Sequence, residues 1–155
     1  MTIQIPGYGE ITLRHVVLDY NGTIARDGAL LDPLAALLPE LSERYRVHVI
    51  TADTFGSVQA QLEPYDTTVK ILTSDDHTAE KAAYIDSLGA SHAVAIGNGN
   101  NDAAMLQKAC IGIALVGDEG CSTRTMHQSD ILCKDIADAL GLLLHPKRLI
   151  ATLRR

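Results

Sequence analysis

Apolar residues along the chain come in short runs, each closed by a polar or glycine-rich turn. "TIQIPGYGEITL", residues 2–13, alternates apolar and polar positions on both sides of Pro-Gly-Tyr-Gly, which predicts a β-hairpin. "HVVLD" is apolar up to Asp19 and predicts a strand buried on both faces. Asp32 and Pro33 form a helix start for "LAALLPELSERY", with Pro39 placed to bend or split it. "RVHVIT" and "TTVKIL" predict two more strands, separated by a short helix in "TFGSVQAQLE". "DDHTAEKAAYIDSLG" predicts a helix with acids at its start and Gly89 at its end. "HAVAIG" predicts a fourth core strand that opens into "NGNNDAAMLQKA", a turn running into a helix. "CIGIAL" and the shorter "DILC" predict the last strands, "KDIADALGLLL" a closing helix, and Pro146 the start of another.

Short Val/Ile-rich strands that alternate with helices define a doubly wound, parallel α/β sheet, here preceded by the hairpin. The 155 residues suit a single domain, 1–155, with no linker or repeat. In such sheets ligands bind outside the carboxyl ends of the strands. Asp19, Thr51 and Asn98 all fall at predicted strand C-termini, so residues distant in sequence converge on one edge.

Composition narrows the partners. With 46% apolar residues the chain can fill a core, and its formal net charge of −6 argues against nucleic acid or an anionic membrane. No apolar run is long enough to span a bilayer, and "MTIQIPGYGE" lacks the basic flank and apolar stretch of a secretory signal. A cytoplasmic location is expected. Cys110, Cys121 and Cys133, odd in number and widely spaced, fit reduced, mostly buried thiols rather than a disulfide framework or a zinc site.

Four segments carry candidate chemistry, and each has a plainer alternative. In "DYNGT", Asp19 at a strand end beside Gly22 can serve as a nucleophile, or simply cap an Asn-Gly turn. In "VITAD", the Thr51 hydroxyl and the next N–H, that of Ala52, can bind an anion, or Thr51 can cap the following helix. Lys81, early in its helix, can neutralise a phosphate or be an ordinary surface lysine, with Lys70 and Lys108 as competitors. In "IGNGNNDAAML", two glycines bracket Asn98 and Asp102 sits near a helix start, a loop able to surround a small hard cation with oxygens, or merely a polar turn.

Taken in order, these segments resemble the motifs of the haloacid dehalogenase-like (HAD) phosphohydrolases. "DYNGT", "TAD" and "GNGNND" are most similar to the phosphorylation domain of P-type ATPases, and the resemblance spans Val16 to Leu115. It implies a Rossmann-like core and a Mg²⁺-dependent, phosphatase-like activity on a phosphorylated small molecule or macromolecule. It implies that Asp19 forms an aspartyl-phosphate while Gly22, Thr51, Ala52 and Lys81 hold the phosphoryl group. It further implies that Asp19, the Asn21 carbonyl and Asn98 hold Mg²⁺, with Asp102 supporting them directly or through water.

Two positions depart from that pattern. Where HAD phosphatases place a general acid, two residues after the nucleophile, this chain has Asn21, which neither gives nor takes a proton at neutral pH. Where they place a metal-ligating aspartate, it has Asn98. Slow turnover is expected, and the alternative is a phosphate-binding or regulatory module without catalysis. No large cap fits between the motifs, so the site is expected to be open. Self-association is then expected, with "ADALGLLL" and the hairpin at 2–13 as contacts. A receiver domain is disfavoured because its phospho-acceptor follows a later strand. A dinucleotide fold is disfavoured because "GNGNND" is not Gly-x-Gly-x-x-Gly.

Overall fold

A computed structural model describes all of Met1–Arg155. Its elements, in chain order, begin with β1 (Thr2–Ile5), β2 (Gly9–Thr12) and β3 (His15–Asp19), followed by β4 (Ala25–Arg26), β5 (Ala29–Leu30) and α1 (Leu34–Ser42). Next come β6 (Arg46–Thr51), α2 (Ser57–Leu62), β7 (Thr67–Ile71) and α3 (His77–Leu88). The second half holds β8 (Ala93–Gly97), α4 (Ala103–Lys108), β9 (Ile111–Leu115), α5 (Thr123–His127), β10 (Ile131–Cys133), α6 (Ile136–Leu144) and α7 (Pro146–Leu153).

Six strands form one parallel sheet in the order β10-β9-β8-β3-β6-β7. The first core strand, β3, therefore lies inside, between β6 and β8. Its side chains alternate between two cores, as strand geometry requires. Val16 and Leu18 pack with Leu34, Leu38, Leu140 and Leu143 on one face. Val17 packs with Ile50, Ile85, Met105 and Leu106 on the other. Both faces are covered, which is why these strands read as continuous apolar runs.

The predicted doubly wound sheet and leading hairpin are present, and no large cap is inserted. Between the first and second motifs lie only the small antiparallel pair β4–β5 and α1. Some local details differ from expectation. Pro39 sits within an unbroken α1, and Pro33, not Asp32, occupies the cap position. The helix expected from Thr54 begins at Ser57, because Asp53 gathers Phe55 N–H, Ser57 Oγ and Val58 N–H onto its carboxylate and fixes a turn first. The β4–β5 pair and α5 were not predicted; both are too short to show a period.

The apolar "ADALGLLL" run is not a free contact face. Ala139, Leu140, Leu143 and Leu144 are buried between α1 and the sheet. The hairpin is docked as well, with Ile3, Ile5 and Leu13 in the same core and Arg155 N–H donating to the Pro6 carbonyl. The three cysteines are free and half-buried, and burial raises each thiol, that of Cys133 to about 11. No helix is long and apolar enough to cross a membrane.

Candidate active site

The carboxyl ends of β3, β6 and β8 bring the candidate residues together. Asp19 is the last residue of β3, Thr51 the last of β6, and Asn98 follows β8 directly. From the side, α3 contributes Lys81. Its ammonium lies 2.7 Å from Asp19 Oδ1, 2.7 Å from Asp102 Oδ1 and 3.2 Å from Asn101 Oδ1. Lys81 is buried, so the surface reading fails. The competitors are placed elsewhere, with Lys70 paired to Glu80 and Lys108 to Asp86.

Exposure separates the two carboxylates. The Asp102 side chain is 0% exposed and that of Asp19 is 14% exposed, so only Asp19 can meet a ligand. Both oxygens of Asp102 are engaged: Oδ1 accepts from Lys81, and Oδ2 accepts from the N–H groups of Asn98 (3.1 Å) and Gly99 (2.9 Å). A β-carbon at Gly97 would lie 2.5 Å from the Asp102 carboxyl carbon, so this approach requires glycine there. The loop is braced by α5 and the residue before it: Thr125 Oγ1 donates to the Gly99 carbonyl and Ser122 Oγ to Asn100 Oδ1.

The turn after β3 is wound around one carbonyl, that of Tyr20, which accepts from the N–H groups of Thr23, Ile24 and Ala25. Gly22 allows this at φ +80°, and its missing side chain makes room for the Asn98 amide; a β-carbon there would sit 2.7 Å from both amide atoms. Gly22 N–H is occupied by the Ala25 carbonyl, so the phosphate-binding role expected of it narrows to shape alone. Asn21 is exposed, and its Oδ1 accepts from Gly28 N–H at 3.1 Å, a bond that closes the β4–β5 segment. Thr51 Oγ1 accepts from Asp53 N–H, which leaves the hydroxyl proton free to donate.

Three contributors escaped the sequence reading. The buried Thr23 hydroxyl stands 3.4 Å from Asp19 Oδ2 and 3.5 Å from Asn98 Oδ1, which brings those two oxygens around one point. Its place as the last residue of "DYNGT" was the available signal. Asn101 is a third acceptor for Lys81, inside the quoted "GNGNND". Glu80 accepts from the N–H groups of Thr73 and Ser74, bonds that hold its carboxyl down at about 2 and tie the start of α3 to the end of β7.

Burial pushes the Asp19 carboxyl up, the charge of Asp102 adds to the effect, and Lys81 opposes both. Burial works against the Lys81 ammonium, but the two carboxylates outweigh it and raise its pKa. The three groups thus form a mutually dependent charge cluster. No three His, Cys, Asp or Glu side chains converge as a metal-ligating group. A cation here would rest on Asp19, Asn98 Oδ1 and backbone oxygen, a donor set of oxygens only, which suits Mg²⁺. Beside Gly22 and Thr23 lies a cavity of about 400 Å³ crossed by the Arg26–Asp118 ion pair and flanked by Glu119 and Lys134.

The chain has the fold of the haloacid dehalogenase-like hydrolases. It is similar to 3-deoxy-D-manno-octulosonate 8-phosphate phosphatase from Moraxella catarrhalis, solved with magnesium, phosphate and KDO, at a TM-score of 0.69 and 17% identity over 92% of this chain and 94% of that one. The cobalt-bound deoxy-D-mannose-octulosonate 8-phosphate phosphatase of Haemophilus influenzae gives a TM-score of 0.67 at 12% identity, over 88% of this chain and 91% of that one. The catalytic domain of the CPx-ATPase CopB-B gives 0.62 at 23% identity, over 76% of this chain and 46% of that one. In sequence, 61 residues are 56% identical to an uncharacterised protein of Methanocaldococcus jannaschii, a match spanning 39% of this chain and 66% of the relative. No protein-family profile matches the chain.

Proposed function

We propose that the chain is a Mg²⁺-dependent phosphohydrolase acting on small phosphomonoesters through an aspartyl-phosphate on Asp19, with turnover slowed by Asn21. The observation that carries this reading is the buried Lys81 bridging the strand-end Asp19 to Asp102. A buried cation held by a partly open carboxylate, beside a glycine turn, is an arrangement for bringing two anions together.

In the proposed cycle one carboxylate oxygen of Asp19 attacks phosphorus. The bond from phosphorus to the ester oxygen breaks, and that oxygen takes its proton from solvent because Asn21 has none to give. Water then attacks the phosphorus, the bond to Asp19 breaks, and phosphate leaves with the carboxylate restored. Thr51 Oγ1 and the Ala52 N–H would donate to the phosphoryl oxygens, and Lys81 would balance their charge. Asp19, the Asn21 carbonyl and Asn98 would hold Mg²⁺, with Asp102 positioning the loop rather than binding the ion. A bound Mg²⁺ supplies charge neutralisation between nucleophile and phosphate. The neighbouring phosphatases support this reading, as both are enzymes of phosphorylated small molecules by name and contain metal ions. The cavity beside Thr23 offers space for the leaving group.

Self-association belongs to the same reading. With no cap over the site, the 96% exposed Phe55, on the loop after Thr51, is an apolar feature that a second copy would cover.

The two amides favour a second reading, a phosphate-binding module without turnover. Hydrolysis of p-nitrophenyl phosphate with and without Mg²⁺ separates the two. The enzyme reading requires Mg²⁺-dependent turnover that Asp19→Ala abolishes. It also requires that Asn21→Asp raise kcat by ~10-fold or more, the range of a restored general acid/base. Undiminished turnover in Asp19→Ala would sink it, and phosphate binding without hydrolysis would establish the module.

A further inference from the structure

At the opposite end of the sheet, where β3 and β6 begin, lies a polar groove of about 550 Å³ that the proposed chemistry does not use. His15 and His48 line it, both more than nine-tenths buried. They form a chain: His15 Nδ1 is 3.0 Å from His48 Nε2, and His48 Nδ1 is 2.8 Å from the Tyr84 hydroxyl on α3. That chain consumes both nitrogens of His48 but only one of His15. The remaining nitrogen, Nε2, has no protein partner, and no buried side-chain polar atom in the chain is left unsatisfied, so it opens to the groove.

Two arginines line the same groove. Arg14 immediately precedes β3, and Arg46 opens β6 in register with His15. Their backbones are bonded, Arg46 N–H to the Arg14 carbonyl, which holds the two residues at the same end of the sheet. Neither guanidinium takes part in any ion pair of the chain. Both cations line the same groove, so an anion bound there would be attracted to both. Arg44, also on the rim, is already committed to the Leu144 carbonyl and Glu40. The acids of the lining, Glu43 on the α1 side and Asp66 before β7, form no ion pair with either arginine. The positive field is felt inside the fold: burial first, then Arg46, Arg14 and His92, lower the pKa of His15.

We propose that this groove is a second anion site, which binds a phosphate-class oxyanion between Arg14 and Arg46 with His15 Nε2 as a further donor. Guanidinium groups match oxyanions with paired, charge-assisted hydrogen bonds. The volume exceeds that of a bare phosphate, so a phosphorylated small molecule fits as well as the inorganic ion. Bound anion would favour the protonated form of His15, whose Nε2–H it accepts.

The test is an NMR titration of the full chain, labelled uniformly with ¹⁵N and with ¹³C at its histidines, with EDTA present. One arm uses inorganic phosphate and the other glucose 6-phosphate; the tighter ligand identifies the bare ion or the organic phosphate as the occupant. Saturable shifts of the His15 and His48 rings, with the His15 pKa rising as ligand is added, are expected. In Arg14→Gln/Arg46→Gln the affinity should weaken by about tenfold or more, as loss of charge-assisted bonds dictates. The response of the Gly97 and Asn98 amides, which reports the other end of the sheet, should be unchanged. Ring signals that do not move, that drift without saturating, or that respond equally in the double variant would each overturn the site.

Discussion

The Lys81 ammonium stands 2.7 Å from one oxygen of Asp19 and 2.7 Å from one oxygen of Asp102, so a single buried cation serves two acids. Neither carboxylate has another cation near it, and the consequences of removing Lys81 can be signed. Lys81→Met leaves two like charges facing each other with little water, a loss on the order of 3–5 kcal/mol at neutral pH. In the variant burial and mutual repulsion raise a folded-state carboxyl pKa above its unfolded value. The folded state then binds the extra proton, so the deficit shrinks as pH falls and grows as it rises. Denaturant melts of both proteins at mildly acid and mildly alkaline pH check this; an equal deficit at both would contradict the pairing.

Stability should fall on mild acidification for a separate reason. Burial, with His15 and Arg46 adding to it, pushes His48 down to about 4. Unfolded, the ring takes its proton near 6.5. Between those values the unfolded chain binds a proton that the native chain refuses, so stability present above pH 6.5 is lost progressively toward pH 4. The loss is about 2–3 kcal/mol. Thermal melts across this range should show the slope, and His48→Gln should flatten it.

Asn98→Asp should tighten Mg²⁺ but weaken the fold without it. Asn98 Nδ2 donates to the Gly120 carbonyl at 3.2 Å, and a carboxylate would turn an acceptor toward that acceptor. The metal-free variant should lose roughly 1–3 kcal/mol. Melting temperatures with and without Mg²⁺ should therefore diverge more in the variant than in the parent.

Gly22 and Gly28 form a matched pair. Both have positive φ, +80° and +83°, but a β-carbon at Gly28 meets nothing within 4 Å while one at Gly22 strikes the Asn98 amide. Gly28→Ala should cost only the backbone strain, roughly 1–2 kcal/mol. Gly22→Ala should cost more and should also disturb Mg²⁺-dependent turnover through Asn98. Chemical denaturation and the p-nitrophenyl phosphate assay read the two effects separately.

The sheet was legible because each strand is a short Val/Ile-rich run closed by Gly, Asn or Asp, and burial on both faces leaves no competing period. The meeting of Asp19, Thr51 and Asn98 followed from the rule for carboxyl ends. Lys81 did not follow from its own surroundings: α3 turns Lys81 inward beside Ala82 and Ile85, and nothing in "TAEKAAY" marks that lysine as buried. Thr23 was hidden because its role depends on two oxygens, of Asp19 and Asn98, separated from each other by about half of the chain. "ADALGLLL" was misread as a contact face because apolar content alone does not say whether a core or a neighbour covers it.

The order of the site along the chain also sets when it can exist. Lys81 follows Asp19 by 62 residues, and Asp102 follows Lys81 by another 21. During synthesis at roughly 5–20 residues per second, Asp19 leaves the ribosome about 4–17 s before the last member of its charge cluster. The central strand β3 likewise waits for β8, its partner on one side, until Ala93–Gly97 has been made. A nascent chain stalled before that point carries an apolar strand with an open edge and an unneutralised aspartate at its tip. Folding of this protein is thus tied to completion of β8 and α4, and truncations that end before Asp102 should be insoluble rather than merely inactive.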